Sequence, residues 1–255
     1  MDIVVDAAWV TGMLLASIRV GVFVVASPIF GKAIPATGRM ALVLVLGYVF
    51  ATPVEGSLDL GRLIVAAATN VAVGGFVGFL TGLIFTLFTV AGGLLDFTSS
   101  LSSAQIFDPL TQDQNPVFGR FLNLGALALF FVLGGDRLLI AGLGSTFELV
   151  GVTGSVDLAP GLATVGVTLL SRMMIAAVEL AMPALAALFL VEVVLGIASR
   201  FAPQANVFLI GLPAKVVAAL ASVGAVVLLM PETMDGVMSI IRDTFRDAMA
   251  GLGAG

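Results

Sequence analysis

The sequence contains no cysteine and no histidine among its 255 residues. These absences exclude disulfides, thiol nucleophiles and thiolate or imidazole metal ligands, together with the side chain that most often carries protons at neutral pH. Charged residues make up only 11% of the chain, and its 11 lysines and arginines lie singly. Because nucleic-acid binding requires clustered positive charge, we expect no nucleic-acid partner, and we also expect no metal and no cofactor.

Hydrophobic residues, by contrast, make up 60% of the chain, and the mean hydropathy is +1.18. A soluble domain has roughly 45–50% apolar residues, so this chain must bury its surface in lipid or in other chains. Its apolar runs are nearly long enough to span a membrane, but most carry a charge or a proline near the middle. The interrupting residues are Arg19, Glu148, Glu179, Pro183 and Lys215.

A charge at the centre of a lipid-facing helix costs roughly 2.5–3.5 kcal/mol, so its repeated occurrence predicts shielding by protein or water. We therefore expect an all-α, membrane-associated subunit of a larger assembly. The predicted helices lie in 7–30, 40–52, 63–95, 121–135, 138–156, 161–199 and 206–230. The first of them should end at Ser27-Pro28, because the residue before a proline disfavours the helical conformation. Residues 1–230 would form one membrane domain with a break at 151–160, and Pro231 would separate it from an amphipathic C-terminal segment, 231–255.

The longest uncharged run contains three glycines, Gly74, Gly78 and Gly82, at a spacing of four residues. This spacing places them on one face of a helix, where a second backbone can approach closely. The second backbone could belong to this chain or to a partner subunit, and the sequence leaves both possibilities open.

Residues 96–120 are rich in serine, glutamine, asparagine and aspartate and lie between two apolar helices. Such a segment is heavily penalised in lipid, so it lies outside the membrane or in a water-filled cavity. The pairs Asp108-Pro109 and Asn115-Pro116 predict two turns within it. On composition alone, an ordinary solvated connection is the simplest interpretation.

Nothing in the sequence predicts an enzyme. Asp136 resembles the acid of an intramembrane protease but lacks a second aspartate in a comparable apolar context, and a lone aspartate in a turn is more often a helix cap. Glu179, Glu192 and Lys215 could form an ion pathway or structural salt bridges, and we favour the structural role. A self-contained secondary transporter built around these three residues is an alternative, although the chain shows no convincing internal repeat.

Three separate motifs resemble the FliR family of flagellar export-gate proteins and their type III secretion counterparts. The most specific is the stretch from Ser199 to Pro213, with Arg200, Ala202-Pro203-Gln204 and Phe208-Leu209-Ile210-Gly211. The second consists of Arg19, Ser27-Pro28-Ile29-Phe30, Ile34-Pro35 and Arg39, and the third of Phe107-Asp108-Pro109, Asn115-Pro116-Val117 and Arg120. The chain departs from the family at Asp96, Thr98 and Ser100, where members usually carry Gly, Gln and Gly.

The resemblance implies a bundle of long, broken helical hairpins, packed with other subunits into a hetero-oligomeric, helical export gate in the bacterial inner membrane. The implied partners are FliP-like and FliQ-like subunits, FlhB- and FlhA-like proteins, membrane lipid and the unfolded flagellar proteins that pass through the gate. The corresponding subunit of a virulence-type injectisome is an alternative.

The resemblance also implies roles for individual residues. The central loop would plug the channel, with Ile106, Phe107, Asp108, Pro109, Gln112, Asn115 and Pro116 shaping it. Buried polar contacts within the assembly would involve Arg19, Arg39, Arg120, Glu179, Glu192, Arg200, Gln204 and Lys215. Gly74, Gly78 and Gly82 would set a close helix seam.

Overall fold

The computed structural model describes residues 6–31, 34–54, 59–101, 116–154, 160–201 and 207–253, and all regular secondary structure in these ranges is helical. This confirms the all-α prediction. The helices are α1 (Ala7–Ala26), α2 (Pro28–Gly31), α3 (Ala36–Val49), α4 (Leu60–Thr98), α5 (Val117–Val132), α6 (Gly135–Leu149), α7 (Pro160–Phe201) and α8 (Val207–Gly253).

The first helix begins and ends where its sequence requires. The carboxylate of Asp6 accepts a hydrogen bond from the Ala8 N–H at 3.0 Å and caps the N-terminus of α1. The helix ends at Ala26 because Ser27 precedes a proline and takes an extended conformation. This confirms the predicted end of the first helix at Ser27-Pro28, and the chain then forms the short helix α2.

Proline does not end the last helix, although Pro231 was predicted to do so. Helix α8 has 47 residues and contains both Pro213 and Pro231. The side chains on either side of the second proline, Met230 and Met234, are buried. Since most helix stability in proteins comes from packing of the buried face, these contacts hold α8 together where the proline removes one backbone donor.

The chain forms two compact units. The first comprises Met1–Leu83, Gly134–Leu169 and Met238–Gly255. Its interior includes a cluster of buried apolar residues from α1, α4 and the segments after α3 and α6. The members are Leu15, Ala16, Val54, Ala66 and Val152, with Phe147 packed against them.

The second unit comprises Ile84–Leu133 and Leu170–Val237. Its interior is formed by large side chains of α4 and α5 together with small and medium side chains of α7 and α8. The rings of Phe85 and Phe130 pack with centroids 5.6 Å apart. Leu180, Ala184, Leu188, Val226 and Met230 are also buried.

Within the described ranges, four helices are long and apolar enough to cross a membrane, and a fifth span results if α5 and α6 are counted as one broken span. Helix α4 alone has 39 residues, a length of about 58 Å at 1.5 Å per residue. Only 22% of the apolar window in α7 and 11% of that in α8 is buried within the chain. Most of the apolar surface of these two helices is therefore available to lipid or to other proteins.

Candidate functional site

Arg19 lies on α1 and is completely buried in the first unit. Its Nε donates a hydrogen bond to Asn70 Oδ1 at 2.8 Å. Its Nη1 donates to the carbonyl oxygen of Thr146 at 2.7 Å, and its Nη2 donates to that of Val150 at 2.8 Å. The guanidinium carbon lies 4.2 Å from the centroid of the Phe147 ring. The charge that interrupts the first apolar run is therefore shielded by protein, because all three guanidinium nitrogens donate hydrogen bonds.

The acceptors of Arg19 are the carbonyl groups at the end of α6, which ends at Leu149. The last carbonyls of a helix have no partners within the helix, and they carry a partial negative charge. In the part of the chain that the structure describes, Arg19 forms no ion pair with a carboxylate. Helix-end carbonyls and an aromatic face therefore offset its charge, an arrangement that suits the planar, five-donor guanidinium.

Asn70 completes this network on α4. Its amide nitrogen donates to the carbonyl oxygens of Ala66, at 2.7 Å, and Val152, at 2.8 Å, while its oxygen accepts from Arg19. Both polar ends of the side chain are therefore bonded, which sets the orientation of the amide. Arg19 and Asn70 together tie α1, α4 and the end of α6 to one another.

The glycine ladder of α4 divides into two parts. A Cβ atom on Gly74 would overlap the carbonyl oxygen of Arg19, and one on Gly78 would lie 2.5 Å from the Cβ of Ala26. A Cβ on Gly82 would meet no atom within 4 Å. Gly74 and Gly78 therefore permit the close approach of α1, whereas no described atom outside the helix approaches the Cβ position of Gly82 as closely.

A second polar network joins α4 and α5 in the second unit. Asp96 Oδ2 accepts hydrogen bonds from the backbone N–H groups of Phe118, at 2.9 Å, and Gly119, at 3.1 Å. Farther along the two helices, Asn123 Nδ2 donates to Thr89 Oγ1 at 2.9 Å. In the sequence, Asp96 stands out only as a departure from the family and as the first residue of the polar segment 96–120. Its position directly after the long uncharged run 63–95 is the signal in the sequence that could have identified Asp96 as a functional residue.

Lys215 and Glu192, two of the predicted polar residues, form an ion pair between α8 and α7 at 2.5 Å. The lysine side chain is 19% exposed and the glutamate side chain 54%. The pair lines a cavity of about 400 Å³ together with Ser100, Ser199 and Gly211.

The other predicted polar residues lie nearer the surface of this chain. Arg39 is half-buried, whereas Arg120, Glu179 and Arg200 are exposed. Any burial of these exposed residues would require a partner. Pro116 immediately precedes α5 and makes no side-chain capping bond. The remaining predicted residues, namely Ile106, Phe107, Asp108, Pro109, Gln112, Asn115 and Gln204, lie outside the described residues.

These features define the chain as a helical membrane protein whose buried polar residues link helices to one another. The chain matches bacterial export proteins, family 1, over residues 10–241, and it belongs to that family. Membership confirms the resemblance to the FliR family of type III export proteins.

Two flagellar relatives match along at least nine-tenths of the chain, and a third relative matches along just over half of it. The chain is 28% identical to the flagellar biosynthetic protein FliR of Bacillus subtilis over 250 residues, which cover 94% of this chain and 95% of the relative. It is 29% identical to the FliR of Aquifex aeolicus, over 90% of this chain and 88% of the relative. It is 27% identical to the surface presentation of antigens protein SpaR of Shigella sonnei, over 57% of this chain and 56% of the relative.

Proposed function

We propose that the protein is a channel-forming subunit of the flagellar type III export gate in the bacterial inner membrane. In this role it conducts unfolded flagellar proteins and has no catalytic centre. The observation that carries the proposal is the match to FliR relatives along more than nine-tenths of the chain. The match to SpaR covers just over half, which favours the flagellar system over the injectisome.

The surface of the chain supports assembly with other subunits. Glu179 is exposed on α7, within the apolar span 164–201, and its neighbours Val178 and Met182 are also exposed. A carboxylate facing acyl chains at this depth would be costly, so a protein surface is the better environment for it. FliP-like and FliQ-like subunits are the proposed neighbours, and FlhB- and FlhA-like proteins are further partners.

A secondary transporter is less well supported by the arrangement of charges. Lys215 is already paired with Glu192. Glu179 forms no ion pair with either of them among the described residues. The three residues therefore do not form one common ion site within this chain.

Co-expression with the candidate partners, followed by native mass spectrometry, tests the assembly. We expect a complex that contains this chain with FliP-like and FliQ-like subunits. Glu179→Lys should weaken the complex. The control is Arg246→Glu, in the terminal part of α8, which should leave the mass of the complex unchanged. A stable, folded monomer in a lipid nanodisc, with no complex on co-expression, would refute the proposal.

We further propose that the central loop blocks the closed channel, with Ile106 and Phe107 supplying the apolar surface. Deleting Ile106–Gln114 should leave the complex intact and raise ion leakage through vesicles that contain it. A chain of unchanged length, with Ile106 and Phe107 both replaced by serine, separates the loss of apolar surface from the loss of length. Unchanged leakage in the assembled deletion complex would count against the plug.

A further inference from the structure

The N-terminus of α5 is capped by a side chain from another helix. A helix is normally capped by the residue just before it, whose side chain accepts a hydrogen bond from the second or third backbone N–H. Here that residue is Pro116, which makes no side-chain capping bond. The second and third residues, Phe118 and Gly119, donate instead to Asp96, which lies 22 and 23 positions earlier on α4.

The approach of the two helices is built to deliver these donors. Gly92 precedes Asp96 by four residues, so both lie on the same face of α4. A Cβ atom on Gly92 would overlap the backbone of Gly119. Only glycine at this position lets the first turn of α5 come close enough for its N–H groups to reach the Asp96 carboxylate.

The carboxylate is also unusual in its burial. Asp96 is 1% exposed, and its second oxygen, Oδ1, forms no hydrogen bond among the described residues. Leaving a buried acceptor unbonded is costly, and such a group in a folded protein calls for an explanation. The two backbone hydrogen bonds that Oδ2 accepts at the N-terminus of α5 offset part of this cost.

Asp96 lies five residues before Leu101, the last residue that the structure describes ahead of the central loop, and Phe118 lies two residues after Pro116. We infer that Asp96 is a positioning residue, which holds the end of α4 against the start of α5 and so fixes the two helix ends that flank the central segment. This inference rests on the proposed channel function. Asp96 is not the sole polar link between α4 and α5 in the described ranges. Asn123 Nδ2 on α5 also donates a hydrogen bond to the carbonyl oxygen of Phe85 on α4 at 3.1 Å.

Asn123 therefore supplies a matched control, because Asn123→Ala removes a polar link between the same two helices at a distance from the ends. The test uses the assembled complex with Asp96→Ala, Asp96→Asn and Asn123→Ala. The chain has no cysteine, so Leu101→Cys and Val117→Cys allow two spin labels to be placed specifically once the partner subunits are also free of cysteine. Pulsed electron spin resonance reports the distance between the labels, and vesicle leakage reports closure.

We expect Asp96→Ala to broaden the distance distribution and to raise leakage at least about tenfold, because it removes both hydrogen bonds that Oδ2 accepts from α5. Asp96→Asn keeps an oxygen acceptor of the same shape and should restore most of both properties. Asn123→Ala should change neither.

An unchanged distance distribution in Asp96→Ala would overturn the inference, as would an equal effect of Asn123→Ala. The inference also fails if deletion of Ile106–Gln114 causes leakage but Asp96→Ala broadens the distance distribution without causing any. If that deletion itself causes no leakage, the proposed plug is wrong, and the clamp is then judged by the distance measurement alone.

Discussion

Arg19 and Asn70 bond each other at 2.8 Å and then bond successive parts of the same backbone segment. Arg19 bonds the carbonyl groups of Thr146 and Val150, and Asn70 bonds that of Val152. The two side chains thus hold the end of α6 against α1 and α4. The guanidinium of Arg19 can be buried among apolar side chains because the protein itself supplies its hydrogen-bond acceptors.

Replacing Arg19 by lysine should destabilise the protein although the charge is kept. A compact ammonium group cannot reach Asn70 and two separate carbonyls at once, so we expect a loss of roughly 2–3 kcal/mol. Arg19→Leu leaves the helix-end carbonyls unpaired and should cost more. The measurement is the fraction of complex that survives heating, followed by size-exclusion chromatography. Arg246→Lys, at a side chain that is 73% exposed, is the control, and wild-type survival of Arg19→Lys would contradict this prediction.

Asn70→Asp is expected to destabilise the protein even though it places a carboxylate beside Arg19. The substitution removes the amide donors to Ala66 and Val152, and it brings negative oxygens toward carbonyl oxygens. We expect a net loss of about 1–3 kcal/mol, the cost of leaving buried acceptors unsatisfied. Combining Asn70→Leu with Arg19→Leu in a double-mutant cycle should give a coupling energy of about 0.5–3 kcal/mol. A more stable Asn70→Asp variant would show that charge outweighs the amide donors.

The sequence predicted which residues are unusual more readily than it predicted their contacts. Arg19 stands out in an apolar run, but its partners lie 51 and 127 positions away, and two of its acceptors are backbone carbonyls that no sequence pattern marks. Lys215 and Glu192 both stood out, yet their separation of 23 positions did not indicate that they pair. Pattern rules also failed at Pro231, where packing overrides a local helix-breaking preference.

The glycine ladder illustrates the same limit. Gly74, Gly78 and Gly82 are equivalent by spacing, but α1 ends at Ala26, which lies opposite Gly78. Helix α1 therefore ends before it reaches the level of Gly82. Periodicity identifies a face of a helix, whereas the length of its neighbour decides how much of that face is used.

Alanine substitutions along this ladder should differ in their effects. Gly74→Ala places a methyl group against the backbone of Arg19, which cannot move without disturbing the buried guanidinium, so we expect a loss of roughly 1–3 kcal/mol. The Cβ atom of Gly82→Ala would lie more than 4 Å from the described atoms beyond its own helical turns, so the change should be neutral or stabilising by up to about 1 kcal/mol through helix propensity. Heat survival of the two variants provides the comparison.

Assembly measurements then separate the two roles that the ladder could have. If Gly82 lies against a partner subunit, Gly82→Ala should reduce the yield of complex while the chain itself still folds. If it has no such neighbour, both yield and stability should match the wild type. Equal losses of stability in Gly74→Ala and Gly82→Ala would contradict the division of the ladder.

Reversing the ion pair of α7 and α8 tests whether Lys215 and Glu192 act mainly on each other. Lys215→Glu places two carboxylates together and should lower heat survival, and the double variant Glu192→Lys with Lys215→Glu should restore it. Because the glutamate side chain is 54% exposed, we expect a coupling of only about 0.5–1 kcal/mol, smaller at high salt. The Arg246–Asp243 pair, at 3.8 Å and with side chains 73% and 62% exposed, is the control, and Asp243→Asn should have no effect. If the reversed pair stays as unstable as Lys215→Glu, then one of the two residues has another charged neighbour in the assembled gate.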